Sequence, residues 1–347
     1  MAVSYYSQEN HGPYHLFDLG AFPLAGGGKI ADCQLAYATA GTLNAAKDNA
    51  VLVTSWWSGT GKIMEQVYTG PGRALDPAKY FIIFASQLGS GIGSSPNTAH
   101  APLAQSKFPT LRIEDDVAAQ HRLVSGLFGI KRLALVFGGS MGAQQTYEWA
   151  VRHPDMVARA APLAGTARTS DHSRLFCDTL IEAMTGDPAF KGGDYAAAAD
   201  VAAGLRRVAG LMAVSGWCDE FYRAALWRTL DFASADDFMT NFMHGYFGPM
   251  DPNVLICKAR KWQAHDVSRP YGGELAAALG RIKAKVMILP IKNDLMFPTP
   301  RCEDDRKMIA GAQLSVIESR CGHLGLFAIE PDYSPQIDAA LGAVLAA

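Results

Sequence analysis

Neither sign of charge is in surplus in this chain of 347 residues: 31 Lys and Arg stand against 33 Asp and Glu, for a formal net charge of −2. Without a basic excess there is no general electrostatic footprint for nucleic acid, and there is no acidic tail. Charged residues are few altogether, 18% against 49% hydrophobic. That balance excludes a disordered chain and supplies apolar surface for a large core. Six cysteines (Cys33, Cys177, Cys218, Cys257, Cys302 and Cys321) form no C-x-x-C pair and have no histidine beside them at zinc-ligand spacing. They read as idle, buried thiols in a reducing compartment, so no metal is expected. No apolar run reaches the roughly 20 residues of a membrane-spanning helix, because Gly, Pro or charge interrupts every candidate. The stretch Met1 to Gly12 lacks the basic-then-apolar pattern of a secretory signal. A soluble cytoplasmic protein without nucleic-acid or membrane partners is expected. Repeats and low-complexity tracts are also missing.

What is present is an alternation of short β-prone runs and helical stretches, the pattern of an α/β domain with a mostly parallel sheet. Leu16 to Phe22 and Ile30 to Thr39 flank a Gly26-Gly27-Gly28 turn and read as an opening hairpin. Val51 to Val53, Phe81 to Phe84 and Leu133 to Phe137 are continuous apolar runs, as strands covered on both faces should be. Ile113, Val117, Gln120, Val124 and Leu127 recur at helical spacing, with Glu114, Asp115 and Asp116 in the first turn. After a strand candidate at Ala158 to Ala164 the character changes. From 169 to 280 the chain reads as a helical insertion, with helices at Tyr195 to Leu211 and Phe221 to Leu230, placed to act as a lid. The flanking segments, 1–168 and 281–347, then form one core. In the latter, Val286 to Leu289 and Leu314 to Ile317 are the last strand candidates, and Ile337 to Leu345 closes the chain as a helix.

The chemistry concentrates at Leu135-Val136-Phe137-Gly138-Gly139-Ser140-Met141-Gly142, a strand, a glycine-bracketed serine and the start of a helix. This G-x-S-x-G arrangement is the nucleophile elbow of α/β-hydrolases: small neighbours allow a sharp turn that lifts the hydroxyl above the sheet. The Met141 N–H then sits at a helix N-terminus, where an oxyanion would form. A serine hydroxyl needs a base, and the base an orienting carboxylate, in the chain order Ser, Asp or Glu, His. His323 follows the last strand candidate, and Asp294 follows the one before it. Asp304 and Asp305 read as a solvated helix face, while Asp266, beside His265, is the fallback acid. For the second oxyanion donor the loop after Val53 offers the Trp57 N–H. The adjacent Trp56 and Trp57 rings either fill the core or wall an acyl site.

With these residues in view, the chain resembles the homoserine O-acetyltransferase-like branch of the α/β-hydrolase superfamily. The resemblance runs over most of the chain: Gly138 to Gly142 with Glu148-Trp149-Ala150 and Pro154; Phe108-Pro109-Thr110 with Ile113, Asp115, Asp116, Val117 and Gln120; Gly192-Gly193-Asp194-Tyr195; Asp294 with Phe297-Pro298; and Gly322-His323. It implies a triad of Ser140, Asp294 and His323, a helical lid and acyl transfer through an acyl-serine. Two features depart from it. Where the transferases carry an Asp after the base there is Leu324, and the place of their carboxylate-binding Arg falls on Ile181, with Arg174 earlier in the same stretch as a substitute. An amino-acid acceptor would lack both partners, at a cost of about 1.5–3 kcal/mol for the missing charged hydrogen bond alone.

The reading is therefore a serine-dependent acyl-transfer enzyme that hydrolyses an ester or related small acyl substrate, with Trp56, Leu324, Ile181 and Arg174 as the candidate substrate contacts. No cofactor is called for. An O-acetyltransferase on homoserine or another hydroxyl acceptor, with acetyl-CoA as co-substrate, is the alternative. Carbon–carbon bond hydrolysis by the same triad and a non-turnover ligand receptor are the remaining readings, and a homodimer through the lid is a possible assembly.

Overall fold

A computed structural model describes residues 4–347. The N-terminal stretch considered above begins outside that range. Eight strands form a single sheet in the order β1-β2-β4-β3-β5-β6-β7-β8. The strands are β1 (His15–Pro23), β2 (Lys29–Ala40), β3 (Ala50–Thr54), β4 (Phe81–Ala85), β5 (Leu135–Gly139), β6 (Arg159–Leu163), β7 (Lys285–Ile288) and β8 (Gln313–Leu314). The β1–β2 hairpin and the β2–β4 pair are antiparallel, and all pairs from β4 to β8 are parallel. Every residue of β3, β4 and β5 is buried, which is why those strands read as unbroken apolar runs rather than alternations.

Helices of eight residues or more are α1 (Gly61–Tyr68), α2 (Ile113–Arg122), α3 (Met141–Arg152), α4 (Asp171–Thr185), α5 (Ala202–Ser215), α6 (Pro252–Gln263), α7 (Thr299–Lys307) and α8 (Tyr333–Ala346). One apolar cluster packs α2 and α3 against one face of the sheet, and a second packs α1 and α8 against the other. A third, rich in aromatics, joins the helical segment between β6 and β7 to the ends of the strands beneath it. No helix of the described residues is long and apolar enough to cross a membrane.

Several local expectations change. The pairing of β8 is regular only at Gln313 and Leu314, with a separate bridge from Ile291 to Ile317. Pro290 intervenes and has no N–H to donate to the ladder. The amphipathic pattern of α2 runs into a π turn at Leu123–Leu127, and the extra residue in that turn rotates Leu127 out to 47% exposure. In the insertion, the stretch from Tyr195 becomes helical at a 3₁₀ turn, Ala198–Val201, and as an α-helix only from Ala202. The stretch Phe221 to Leu230 divides because Ala225 adopts a left-handed φ of 50°.

The acidic turn of α2 does more than answer a helix dipole. Asp115 accepts hydrogen bonds from Arg112 N and Ala25 N, each at 2.7 Å. Asp116 is fully buried, bonds Leu88 N at 2.8 Å and pairs with Lys261 of α6 at 2.6 Å. Burial raises the Asp116 carboxyl to about 6 even against that lysine. Asp305, expected on a solvated face, is buried as well; it accepts from Ala167 N at 2.8 Å, and burial raises it to about 7.

Candidate active site

At the end of β5 the chain turns directly into α3 through Ser140, whose φ of 57° and ψ of −119° belong to a region that side chains rarely occupy. The turn stays closed because its neighbours are glycines. A Cβ on Gly138 would stand 2.6 Å from the carbonyl carbon of Gly142, and one on Gly142 would strike Thr54 O. Thr54, at the end of β3, donates its hydroxyl to Gly142 O at 2.9 Å and locks the elbow to the adjacent strand. Farther along, Trp149 Nε1 donates to Gln120 Oε1, and Gln120 Nε2 donates to Gln145 Oε1 at 2.7 Å. Gln145 Nε2 completes the line on Met141 O at 3.2 Å. Such a fully buried, connected polar chain fixes α3 in one position.

Three side chains that are far apart in sequence meet here. His323 Nε2 lies 3.0 Å from Ser140 Oγ, and His323 Nδ1 lies 2.7 Å from Asp294 Oδ2. Asp294 Oδ1 accepts from Met296 N at 2.8 Å and Phe297 N at 2.9 Å, so both carboxylate oxygens are committed. The Phe297 ring packs against the imidazole with centroids 5.5 Å apart and stacks on Trp262 at 5.7 Å. All three polar residues are nearly inaccessible, at 3–4% exposure. Asp266, the fallback acid, instead pairs with Arg168 at 3.1 Å.

Above Ser140 lies a small cavity walled by Trp56, Trp57, Met212, Trp262, Leu326 and Phe327, with Ser58, Met296 and Leu324 completing the lining. Apart from Ser58, Ser140 and His323 the lining is apolar or aromatic, and among the described residues no Asp, Glu, Lys or Arg is part of it. The paired tryptophans serve both as packing and as wall: Trp57 Nε1 donates to Leu255 O at 3.0 Å, while Tyr246 OH stands 3.0 Å from Ser58 Oγ and 3.5 Å from Trp56 Nε1. Among the described residues the Trp57 and Met141 backbone N–H groups engage no acceptor.

Two expected substrate contacts are corrected. Arg174 is turned to solvent on α4, where it faces Asp178 at 3.2 Å and Asp171 at 3.8 Å. Ile181 is half-buried against the aromatic cluster and does not reach the cavity, because the inward face of α4 is made of Ser173, Cys177, Leu180 and Met184. Met212, Trp262, Leu326 and Phe327 were not legible as site residues; apolar side chains in helices and turns look the same whether they line a core or a cavity. Met296 and Phe297 carried a signal, since the second and third residues after a catalytic aspartate candidate are placed to cap its carboxylate with their N–H groups.

No family model matches the chain. Among curated proteins it is 52% identical over 342 residues to an ethyl acetate hydrolase of Pseudomonas veronii, covering 99% of this chain and 98% of that one. It is 32% identical over 322 residues to a homoserine O-acetyltransferase of Trichormus variabilis, with 87% and 86% covered. Among solved structures, that of the acetyl esterase MekB superposes with a TM-score of 0.98 at 52% identity, over 99% of each chain.

Proposed function

Since the chain belongs to the homoserine O-acetyltransferase-like branch of the α/β-hydrolase superfamily, and within it is an ester hydrolase, we propose that it cleaves short-chain acyl esters, acetates above all, through an acetyl-Ser140 intermediate. The observation that carries this reading is the Ser140–His323–Asp294 chain of hydrogen bonds at the floor of a small, uncharged cavity.

His323 Nε2 takes the Ser140 proton as Oγ adds to the ester carbonyl, and the oxyanion that forms accepts from the Met141 and Trp57 N–H groups. Asp294 holds the proton on Nδ1, so that Nε2 is the free base, and stabilises the imidazolium. As the tetrahedral adduct collapses, the C–O bond to the alcohol breaks and His323 returns its proton to the departing oxygen. Water then repeats the sequence: His323 takes its proton, the hydroxide adds to the acyl-serine, and acid and free Ser140 are released. Each step is completed by the enzyme's own groups and water, and no cofactor takes part.

Trp56, Trp57, Met212 and Phe327 leave room for a short acyl group. A zwitterionic acceptor would find no carboxylate at Leu324 and no guanidinium at Ile181, and the Arg174 guanidinium faces Asp178 and solvent instead of the cavity, which separates this reading from amino-acid acetylation. The test is a series of p-nitrophenyl esters from acetate to octanoate, with and without homoserine. Expected are a steep decline in kcat/KM beyond butyrate and no effect of homoserine. O-acetylhomoserine formed from acetyl-CoA at a rate comparable with hydrolysis refutes the proposal.

A further inference from the structure

We propose that Lys258 is a positioning residue for the reaction: by holding the carbonyls of Trp56 and Gly59 it aims the Trp57 N–H at the oxyanion. The inference rests on reading that N–H as an oxyanion donor.

Lys258 lies on α6, in the helical insertion, and reaches across to the loop that follows β3 in the core. Its Nζ donates to Trp56 O at 3.2 Å and Gly59 O at 3.0 Å, and the residue is 1% exposed. Among the described residues it has no carboxylate within ion-pair distance; Asp116 is taken by Lys261, one turn farther along α6. A buried amine without a counter-ion is a costly group, so its contacts deserve a functional account. Burial and the neighbouring Lys261 push its ionisation well below the usual lysine range. The two carbonyls are its hydrogen-bond partners.

What the contacts hold is specific. Trp56 O and Trp57 N–H belong to the same planar trans peptide unit and point in opposite directions, so anchoring the oxygen sets the direction of the hydrogen. Gly59 N also donates to Trp56 O, at 3.2 Å, closing a four-residue turn with Trp57 and Ser58 at its corners. Lys258 grips both ends of that turn. Gln87 Nε2 shares Trp56 O at 3.1 Å and remains when the amine is removed, whereas among the described residues no other side chain bonds Gly59 O. The turn should therefore loosen rather than unfold.

The test is Lys258→Met in the full chain, with rates expressed per serine titrated by a fluorophosphonate, so that any unfolded fraction drops out. Expected is a fall in kcat of about tenfold, less than the 10²–10³ lost when an oxyanion donor itself is deleted. KM for p-nitrophenyl acetate should change less than threefold. Affinity for a trifluoromethyl ketone, which adds to the serine as a hemiketal, should fall by the same factor as kcat, while the acid limb of the pH profile stays in place. Lys258→Gln, which keeps two N–H donors on a shorter arm, should fall between the two; it decides the matter by the same measures if Lys258→Met does not fold. Variants that keep kcat and ketone affinity within twofold, or that lose only KM, overturn the inference. Wild-type enzyme that neither labels at Ser140 nor binds the ketone overturns instead the reading of the site on which it rests.

Discussion

Replacing Asp294 by Asn tests the site by changing one atom and almost no volume. In the native geometry Oδ1 accepts two backbone N–H groups, from Met296 and Phe297, and Oδ2 accepts the proton on His323 Nδ1. An asparagine keeps the first pair of bonds only by turning its carbonyl toward them, which points its NH₂ at Nδ1. That nitrogen must then act as acceptor, its proton moves to Nε2, and the atom 3.0 Å from Ser140 Oγ can no longer take a proton. The reversed rotamer sets an NH₂ against two N–H donors and is worse. Since the wrong tautomer is forced rather than merely allowed, the loss in kcat should be about 10⁴, the size seen when a serine-protease triad is altered in this way, or roughly 5.5 kcal/mol of transition-state stabilisation. The assay is p-nitrophenyl acetate hydrolysis by Asp294→Asn and Asp266→Asn, with circular dichroism to confirm the fold. Asp294→Asn within tenfold of wild type, or Asp266→Asn equally damaged, refutes the assignment of the acid.

Ser140→Ala should stay folded with activity down by several orders of magnitude, and mass spectrometry after fluorophosphonate treatment of wild type should find the label on Ser140. Because Ser140 has a φ of 57°, Ser140→Gly should unfold at higher denaturant than Ser140→Ala, by about 1 kcal/mol or more, the cost of a strained side-chain-bearing residue; equal stability counts against strain at the elbow. Met212→Ala enlarges the cavity wall and should shift the preferred acyl chain toward butyrate or hexanoate in the ester series, whereas an unchanged chain-length profile removes Met212 from the acyl site. Lys261→Met leaves Asp116 buried without its cation and should cost about 3–5 kcal/mol in urea unfolding near neutral pH. Asp305 has a folded pKa of about 7, above its unfolded value, so its contribution is full below about 4 and is lost as pH rises toward 7. The difference in stability between Asp305→Asn and wild type should therefore grow in favour of the variant across that window, by at most about 1.4 kcal/mol per pH unit; a flat difference refutes the raised pKa.

Most of the strands, the elbow at Ser140 and the positions of Asp294 and His323 after strands were legible because each is written locally. Buried parallel strands are unbroken apolar runs, and a glycine-bracketed serine between strand and helix carries its own steric reason. The acid and base each follow a strand, where a parallel sheet collects its loops. Arg174 and Ile181 were misplaced because which face of α4 turns inward depends on helices from elsewhere in the chain. Asp305 and Asp116 look like ordinary surface carboxylates in a helical pattern, and only packing buries them. In the same way nothing near Lys258 in the sequence announces that its amine ends on Trp56 and Gly59, some two hundred positions away. Local backbone and side-chain rules thus indicated most of the strands and the three polar side chains that meet at the elbow. The cavity wall, the buried charges and the support of the oxyanion loop are contacts between distant segments, and only the tertiary structure could decide them, since a helix sequence records that it has an apolar face but not what that face will meet.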